Sequence, residues 1–303
     1  MSRLDVVGFG ALNVDRLFKV NRIASSEEES YIETRSETFG GSAANTIVGL
    51  ARLGCKVGFI GKVGNDSEGK MLTEDLRKEG VDTDGIVRSK TNRSGSVIGF
   101  VDKQGARALY IDSGSNDTIE GADISYEYVS RGRYLHLTSF VGERSFQTQK
   151  HLLRDLSDNI RVSFDPGALY ADKGLSQLEP IVNRTYVLMP NAFELKLITG
   201  ESDYTKGADR LLGKGVAVVA VKLGQKGCYV TDGSVNHFID AVKVKVVDTT
   251  GAGDAFCAGF LYGLLKKKSL LECGKIGNFV ASRSITEMGA RTNLPHLKDL
   301  RSG

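Results

Sequence analysis

The 303-residue chain lacks the marks of several protein classes. Its four cysteines, Cys55, Cys228, Cys257 and Cys273, stand far apart with no CxxC pair, which argues against a zinc ribbon and against a secreted disulfide framework. Charge of one sign is scarce as well. With 40 basic and 37 acidic residues the formal charge is +3, too little for the electrostatic footprint of a nucleic-acid binder. The basic run at 266–268 follows an apolar stretch and is read as complementing a helix C-terminus. No apolar run approaches the roughly 20 residues a membrane span needs. The opening MSRLDVVGFG has neither the basic region nor the long apolar core of a signal peptide. There is no repeat, no low-complexity tract, no linker rich in proline and glycine, and no GxxxxGK(S/T) phosphate loop. The expectation is a cytoplasmic protein with reduced thiols and no nucleic-acid or membrane partner. Residues 1–303 are taken as a single domain, long enough to bury its own core.

What is present is an alternation of strand-like and helix-like segments. Short β-branched runs occur at 4–10, 56–61, 133–137, 161–165, 185–189 and 216–222, and helical periodicity at 43–53, 67–79, 145–156, 191–199 and 207–212. This order predicts an α/β fold, doubly wound, with a mostly parallel sheet flanked by helices. Its near-continuous apolar strands are those of a sheet covered on both faces. Two stretches, 14–39 and 93–111, instead alternate polar and apolar side chains, the second around a Lys-Gln-Gly turn. Strands wet on one side, inserted into such a chain, predict a small sheet that projects from the core as a lid.

The most informative segment runs from Val246 to Phe256, VVDTTGAGDAF. A strand-like VKVKVV run meets Asp248, crosses small residues and enters an apolar helix. Gly251, Ala252 and Gly253 would leave amide N–H groups bare at the positive end of that helix, an anion hole for a phosphoryl group. Asp254, in the first turn, stands where its carboxylate can take a proton from an attacking hydroxyl. As a plain helix acid it would contribute about 0.3–1 kcal/mol. That reading accounts neither for the Gly-Ala-Gly approach nor for a second acid at 248.

DTTGAGDAF closely resembles the signature of the ribokinase-like (PfkB) family of sugar and nucleoside kinases, and the resemblance extends over nearly the whole chain. It implies ATP-dependent phosphorylation of a CH₂OH group, with Asp254 as general base and the 251–253 amides as the anion hole. Gly8 to Asp15 looks like the family's first strand and turn, where Asp15, with Asn13 beside it, would bind substrate hydroxyls. A dinucleotide reading of Gly8-x-Gly10 fails because Asn13 replaces the third glycine. Gly40, Gly41 and Asn45 match the motif whose glycines admit substrate to the backbone and whose asparagine bonds a sugar hydroxyl. Read locally, the same residues are a glycine turn into a helix capped by Ser42. Residues 61–69 are read as turn and cap.

Asn191 and Glu194 resemble an NxxE motif holding the water shell of Mg²⁺ on the nucleotide, although a capping box has the same spacing. Lys222, Gly224 and Gly227 fall in the family's loop beside ATP, with the role of Lys222 open, and Asn278 falls near adenine. Ser284 and Gly289 align with the loop that joins Asp248 around K⁺ in potassium-activated members, although Asn293 stands where a serine ligand is common. A sugar is the first choice of acceptor, and Ser113-Gly114-Ser115-Asn116 fits the family's sugar kinases. A keto-deoxygluconate kinase is disfavoured because Asp165-Pro166 is followed by Gly167-Ala168-Leu169, without arginine. The alternative is a nucleoside kinase, with Phe18, Tyr31, Phe100 and Tyr110 around the base. From other classes, a silent nucleotide-binding relative is disfavoured by Asp254 and a dehydrogenase by the broken glycine pattern. A homodimer through the lid is also expected.

Overall fold

The computed structural model describes residues 3–104 and 106–301. Gly105, which ends the Lys-Gln-Gly turn, lies outside the described residues. The chain opens with β1 (Leu4–Phe9), then β2 (Asn13–Val20), β3 (Ile32–Gly40), α1 (Ser42–Arg52), β4 (Val57–Gly64), α2 (Ser67–Lys78) and β5 (Asp82–Ser89). Next come β6 (Gly95–Val101), β7 (Arg107–Asp112), α3 (Tyr126–Ser130), β8 (Gly132–Thr138), α4 (Glu143–Asp155), β9 (Arg161–Asp165), α5 (Gly167–Ala171) and α6 (Gly174–Val182). The remainder is β10 (Thr185–Leu188), α7 (Ala192–Thr199), α8 (Tyr204–Leu212), β11 (Val218–Lys222), β12 (Cys228–Thr231), β13 (Asn236–Ile239), α9 (Ala252–Leu265) and α10 (Leu270–Ser284).

The main sheet has nine strands in the order β13-β12-β11-β10-β9-β8-β1-β4-β5. It is parallel from β11 to β5, with β12 and β13 antiparallel at one edge. Successive strand residues point to opposite faces, so Val6 joins a core with α1, α2, α9 and α10, while Val7 joins a second core with α3 to α8. Coverage on both faces is why these strands read as continuous apolar runs. β2, β3, β6 and β7 form a separate four-stranded sheet, in the order β3-β2-β6-β7, at the positions where alternation predicted a lid.

Three strands were not anticipated: β5 (DTDGIVRS) is too polar for a core run, and β12 and β13 have four residues each. The VKVKVV run is not a strand of either sheet. Val247 donates its N–H to the carbonyl of Ile285 instead. Ser42 does not cap α1. Gly41 occupies that position at φ +110°, where a Cβ would lie 2.1 Å from the carbonyl oxygen of Ala11. Asp66 does cap α2, accepting from the N–H of Gly69 at 2.8 Å. Gly8 and Gly10 let α1 lie close on β1, against Ile47 and Ala43, a packing role unrelated to a dinucleotide. Among the described residues no helix is long and apolar enough to cross a membrane.

α9 and α10 pack through small residues. A Cβ on Gly259 would stand 2.7 Å from the carbonyl oxygen of Ile276 and 2.9 Å from Cα of Gly277. Gly259→Val should therefore destabilise the fold by about 1–3 kcal/mol, seen as a lower urea midpoint; an unchanged midpoint would contradict this packing.

Candidate active site

Parallel strands deliver side chains in a row along their C-terminal edge. β8 ends at Thr138, β9 at Asp165 and β11 at Lys222, while Asn191 follows β10 and bridges to Lys222. The row begins beside β1, where the chain order turns away on either side, the position at which open α/β sheets bind ligands. The 248–251 loop and the first turn of α9 face this edge. Between them lies a cavity of about 810 Å³, whose walls include Ser42, Thr138, Asp165, Glu194, Lys222 and Asp254.

Gly251 precedes α9 at φ +75°, against Ala290. Ala252 spends its N–H on the carbonyl of Thr249 at 3.2 Å, while the amides of Gly253 and Asp254 have no backbone acceptor among the described residues. The N–H of Gly251 likewise has no backbone acceptor among the described residues, so the bare donors are those of Gly251, Gly253 and Asp254, with Ala252 spent. A Cβ on Gly253 would sit 3.2 Å from Nζ of Lys222, so the glycine makes room for the amine. Asp254 is buried, yet it touches the cavity, and its partner is an amide: Asn45 donates from Nδ2 to its Oδ2 at 2.8 Å. Burial pushes the carboxyl up to about 7, opposed by the Asn45 bond; Asp165 adds to the rise, while Lys222 and Arg291 resist it.

Asp15 does not line this cavity. Its carboxylate packs against Gly40, where a Cβ would fall 2.1 Å from Oδ2, and its Oδ1 is buried without a partner. Burial pushes it up to about 6, against the pull of Arg291. A bridge runs from Asp15 to Asp254. Arg291 reaches the carbonyl of Gly40 through Nη2 at 3.4 Å and donates from Nε to Oδ1 of Asn45 at 2.7 Å. Asn45 is therefore held by Arg291 on one side and Asp254 on the other. Asn13 is engaged too: its Oδ1 accepts from Asn116, which also pairs with the backbone of Leu12 at both polar ends.

On the other side of Asp254, Asn191 and Glu194 form the capping box, each backbone N–H donating to the other's side chain at 2.8 Å. The box uses Oε2 of Glu194 and leaves Oε1 free of it. Lys222 donates to Oδ2 of Asp165 at 2.8 Å; burial works against its charge, but its acidic neighbours, Asp165 foremost and Glu194 with it, together more than offset this and keep the amine protonated. Asp165 Oδ1 and Thr138 Oγ1 are buried without partners. Gly224 and Gly227, at φ +59° and +92°, line the cavity. So does Asn278, but it is neither a surface amide nor a free donor, because Nδ2 serves the carbonyls of Ile239 and Asp240, each at 3.0 Å. Asp248 holds the loop together, accepting from Thr250 through Oδ1 and from the N–H of Gly289 through Oδ2 at 2.9 Å. Ser284 directs its hydroxyl to the carbonyl of Ala281, so Asp248 and Gly289 come together and the serine hydroxyl is spent within its helix. Among the described residues no group of three or more His, Cys, Asp or Glu side chains could hold a metal by itself.

Sequence reasoning missed Arg291 and gave Asp165 no role. Arg291 stands in a loop outside the motifs, and Asp165 ends an ordinary core strand.

Known proteins resemble this chain in sequence and fold over nearly its whole length. The model of the pfkB family of carbohydrate kinases matches residues 3–297. An uncharacterized sugar kinase of Archaeoglobus fulgidus is 45% identical over 255 residues, 83% of this chain and all of that protein. The 2-dehydro-3-deoxygluconokinase of Bacillus subtilis is 30% identical over 99% of this chain and 95% of its own. The crystal structure of ribokinase from Thermotoga maritima superposes with a TM-score of 0.87 at 29% identity, covering 99% of this chain and 98% of that one.

The raised carboxyl at 254 makes a stability prediction. Its folded form favours the proton, so its contribution is present below the unfolded value of 3.8 and is lost as pH rises through about 7. Asp254→Asn should raise Tm at pH 8, with a gain that shrinks as pH falls towards 4; a gain independent of pH would contradict the assignment.

Proposed function

The chain belongs to the pfkB family of carbohydrate kinases and acts as an ATP-dependent sugar kinase, and we propose that Asp254 is the general base that activates the acceptor's CH₂OH group. One observation carries this reading: a buried carboxylate at a helix N-terminus, bonded to an amide and open to a large cavity. The hydroxyl oxygen attacks the γ-phosphorus as the bond to the bridging oxygen of ADP breaks, and the hydroxyl proton passes to Asp254. The free amides of Gly251, Gly253 and Asp254, with Ala252 bonded back to Thr249 to hold the turn, face the charge that builds on the moving phosphoryl group. Asp15, with its orphaned Oδ1, takes sugar hydroxyls beside the backbone of Gly40 and Gly41. Asn13 and Asn45 brace this end of the site, since each already carries a bond to the protein.

Lys222, paired with Asp165, sets a fixed positive charge behind Gly253 on the nucleotide side. Gly224, Gly227 and Asn278 form the wall along the nucleotide. Glu194, through its remaining oxygen, and Asn191 would hold a Mg²⁺ ion carried on the phosphates, which supplies charge neutralisation when bound. Asp248, with Gly289 and the end of α10 at Ser284, would frame a K⁺ ion that braces the 249–253 turn. A cytoplasmic setting, with ATP at hand and four buried free thiols, fits this reading.

For the acceptor, a sugar fits better than a nucleoside. Phe18 pairs across the lid with Phe100 and stacks on it, and Tyr110 meets Phe100 edge-on. Asp15 is three residues from Phe18 on the same strand, so these aromatics lie on the face turned away from it. They form no base pocket over Asp15 within one chain. The same face, with Ile98 and Tyr110 exposed, is the surface through which two lids would pair in a homodimer.

The decisive assay offers ATP with ribose, fructose, 2-keto-3-deoxygluconate, adenosine, cytidine or inosine, in K⁺ and in tetramethylammonium. A sugar or sugar acid should be the strong acceptor, with faster turnover in K⁺; a nucleoside as the only acceptor, or equal rates in both salts, would overturn the corresponding assignment. With that acceptor kcat/KM should rise with pH through about 7, and Asp254→Asn should lower kcat by about 10²–10⁴-fold. Near-wild-type turnover in that variant would refute the base. Sedimentation should find a dimer that Ile98→Glu with Tyr110→Glu splits; a wild-type monomer at assay concentrations would reject the lid interface.

A further inference from the structure

We propose that Arg291 is the positioning residue of this site, fixing the amide that orients the base and tying it to the peptide on which the sugar-binding carboxylate rests. The inference depends on Asp254 being the base. An asparagine amide can present either its oxygen or its N–H₂ to a neighbour, and a carboxylate accepts only from the latter. Guanidinium carries donors alone, so Nε of Arg291, 2.7 Å from Asn45, can meet only Oδ1. Nδ2 is thereby turned to Asp254, where it donates at 2.8 Å. Without the guanidinium the two amide orientations are no longer distinguished from that side.

The rest of the fork secures the geometry. Nη1 donates to Oδ2 of Asp75 on α2 at 2.5 Å, and Nη2 lies 3.4 Å from the carbonyl of Gly40, the last residue of β3. One planar group thus touches α1, α2 and the lid strand whose end packs on Asp15. Its own backbone is clamped: Arg52 donates from Nη1 to the carbonyl of Arg291 at 2.6 Å and is itself paired in two hydrogen bonds with Glu79. Simple charge balance against Asp75, Asp15 and Asp254 would require only a cation. Holding the oxygen of Asn45 while also reaching Asp75 and the carbonyl of Gly40 requires three donors fixed in one plane, which an ammonium on a flexible stem lacks.

That difference is the test. In the full-length enzyme, with the acceptor found in the panel above, Arg291→Lys should keep Tm within a few degrees yet lose about 100-fold in kcat, as misplaced catalytic groups do, with the KM for ATP unchanged. Arg291→Ala should be at least as slow and should regain activity with millimolar guanidinium but not with methylammonium. Wild-type kcat in Arg291→Lys, a loss confined to the KM for ATP, or equal rescue by both cations would overturn the proposal. If Arg291→Ala fails to fold, the lysine variant decides alone. Should the wild-type enzyme transfer phosphate to no acceptor, it is the kinase reading that fails, an outcome distinct from an indifferent lysine variant.

Discussion

The site is built around one hydrogen bond, 2.8 Å long, between Asn45 and Asp254, residues 209 apart in the chain. It fixes the first turn of α1 against the first turn of α9, and the hydroxyl of Thr46 reinforces it by donating to the carbonyl of Asp254 at 3.2 Å. Everything on the sugar side is anchored through α1 and β3, and everything on the phosphoryl side through α9. A neutral amide suits this joint. A cation in the place of Asn45 would favour the charged carboxylate and drop it toward the ordinary carboxylate range, leaving a weaker base. The amide holds the position while leaving the carboxyl near 7.

The electrostatic surroundings follow from that requirement. Asp165, Glu194 and Asp254 share one end of the site with Lys222, while Asp15 and Asp75 share the other with Arg291. Carboxylates outnumber cations in each group, and burial raises Asp15, Asp75, Glu194 and Asp254 alike. Such an arrangement costs stability at neutral pH and is sustained by the two large apolar cores on either side of the main sheet. A Mg²⁺ ion entering with the nucleotide would meet the excess of negative charge at the Lys222 end. Gly253 eases the same crowding, since a Cβ there would stand 3.2 Å from Nζ of Lys222.

Much of this was legible in the sequence because the elements are local. The parallel core strands, the lid and the α9 turn each carry a periodicity or a glycine pattern that a short window reveals. What failed was non-local. VKVKVV alternates like a strand, but it joins neither sheet among the described residues, and alternation cannot report a missing partner. β5 is recognisable only once β4 lies beside it. Asn45 reads as a sugar ligand from its motif, while its bonds to Arg291 and Asp254 become visible only in the fold. Arg291 itself has no local signature, since its meaning comes from residues 40, 45 and 75. Pairwise chemistry between distant segments is what a linear reading leaves out.

The most direct measurement is a crystal structure of the enzyme with a non-hydrolysable ATP analogue and the acceptor bound together. The account predicts the γ-phosphate at the amides of Gly253 and Asp254, with the acceptor's primary hydroxyl in hydrogen-bond contact with the Asp254 carboxylate. A nucleotide whose phosphates point away from that helix end, or an acceptor hydroxyl out of reach of Asp254, would contradict it.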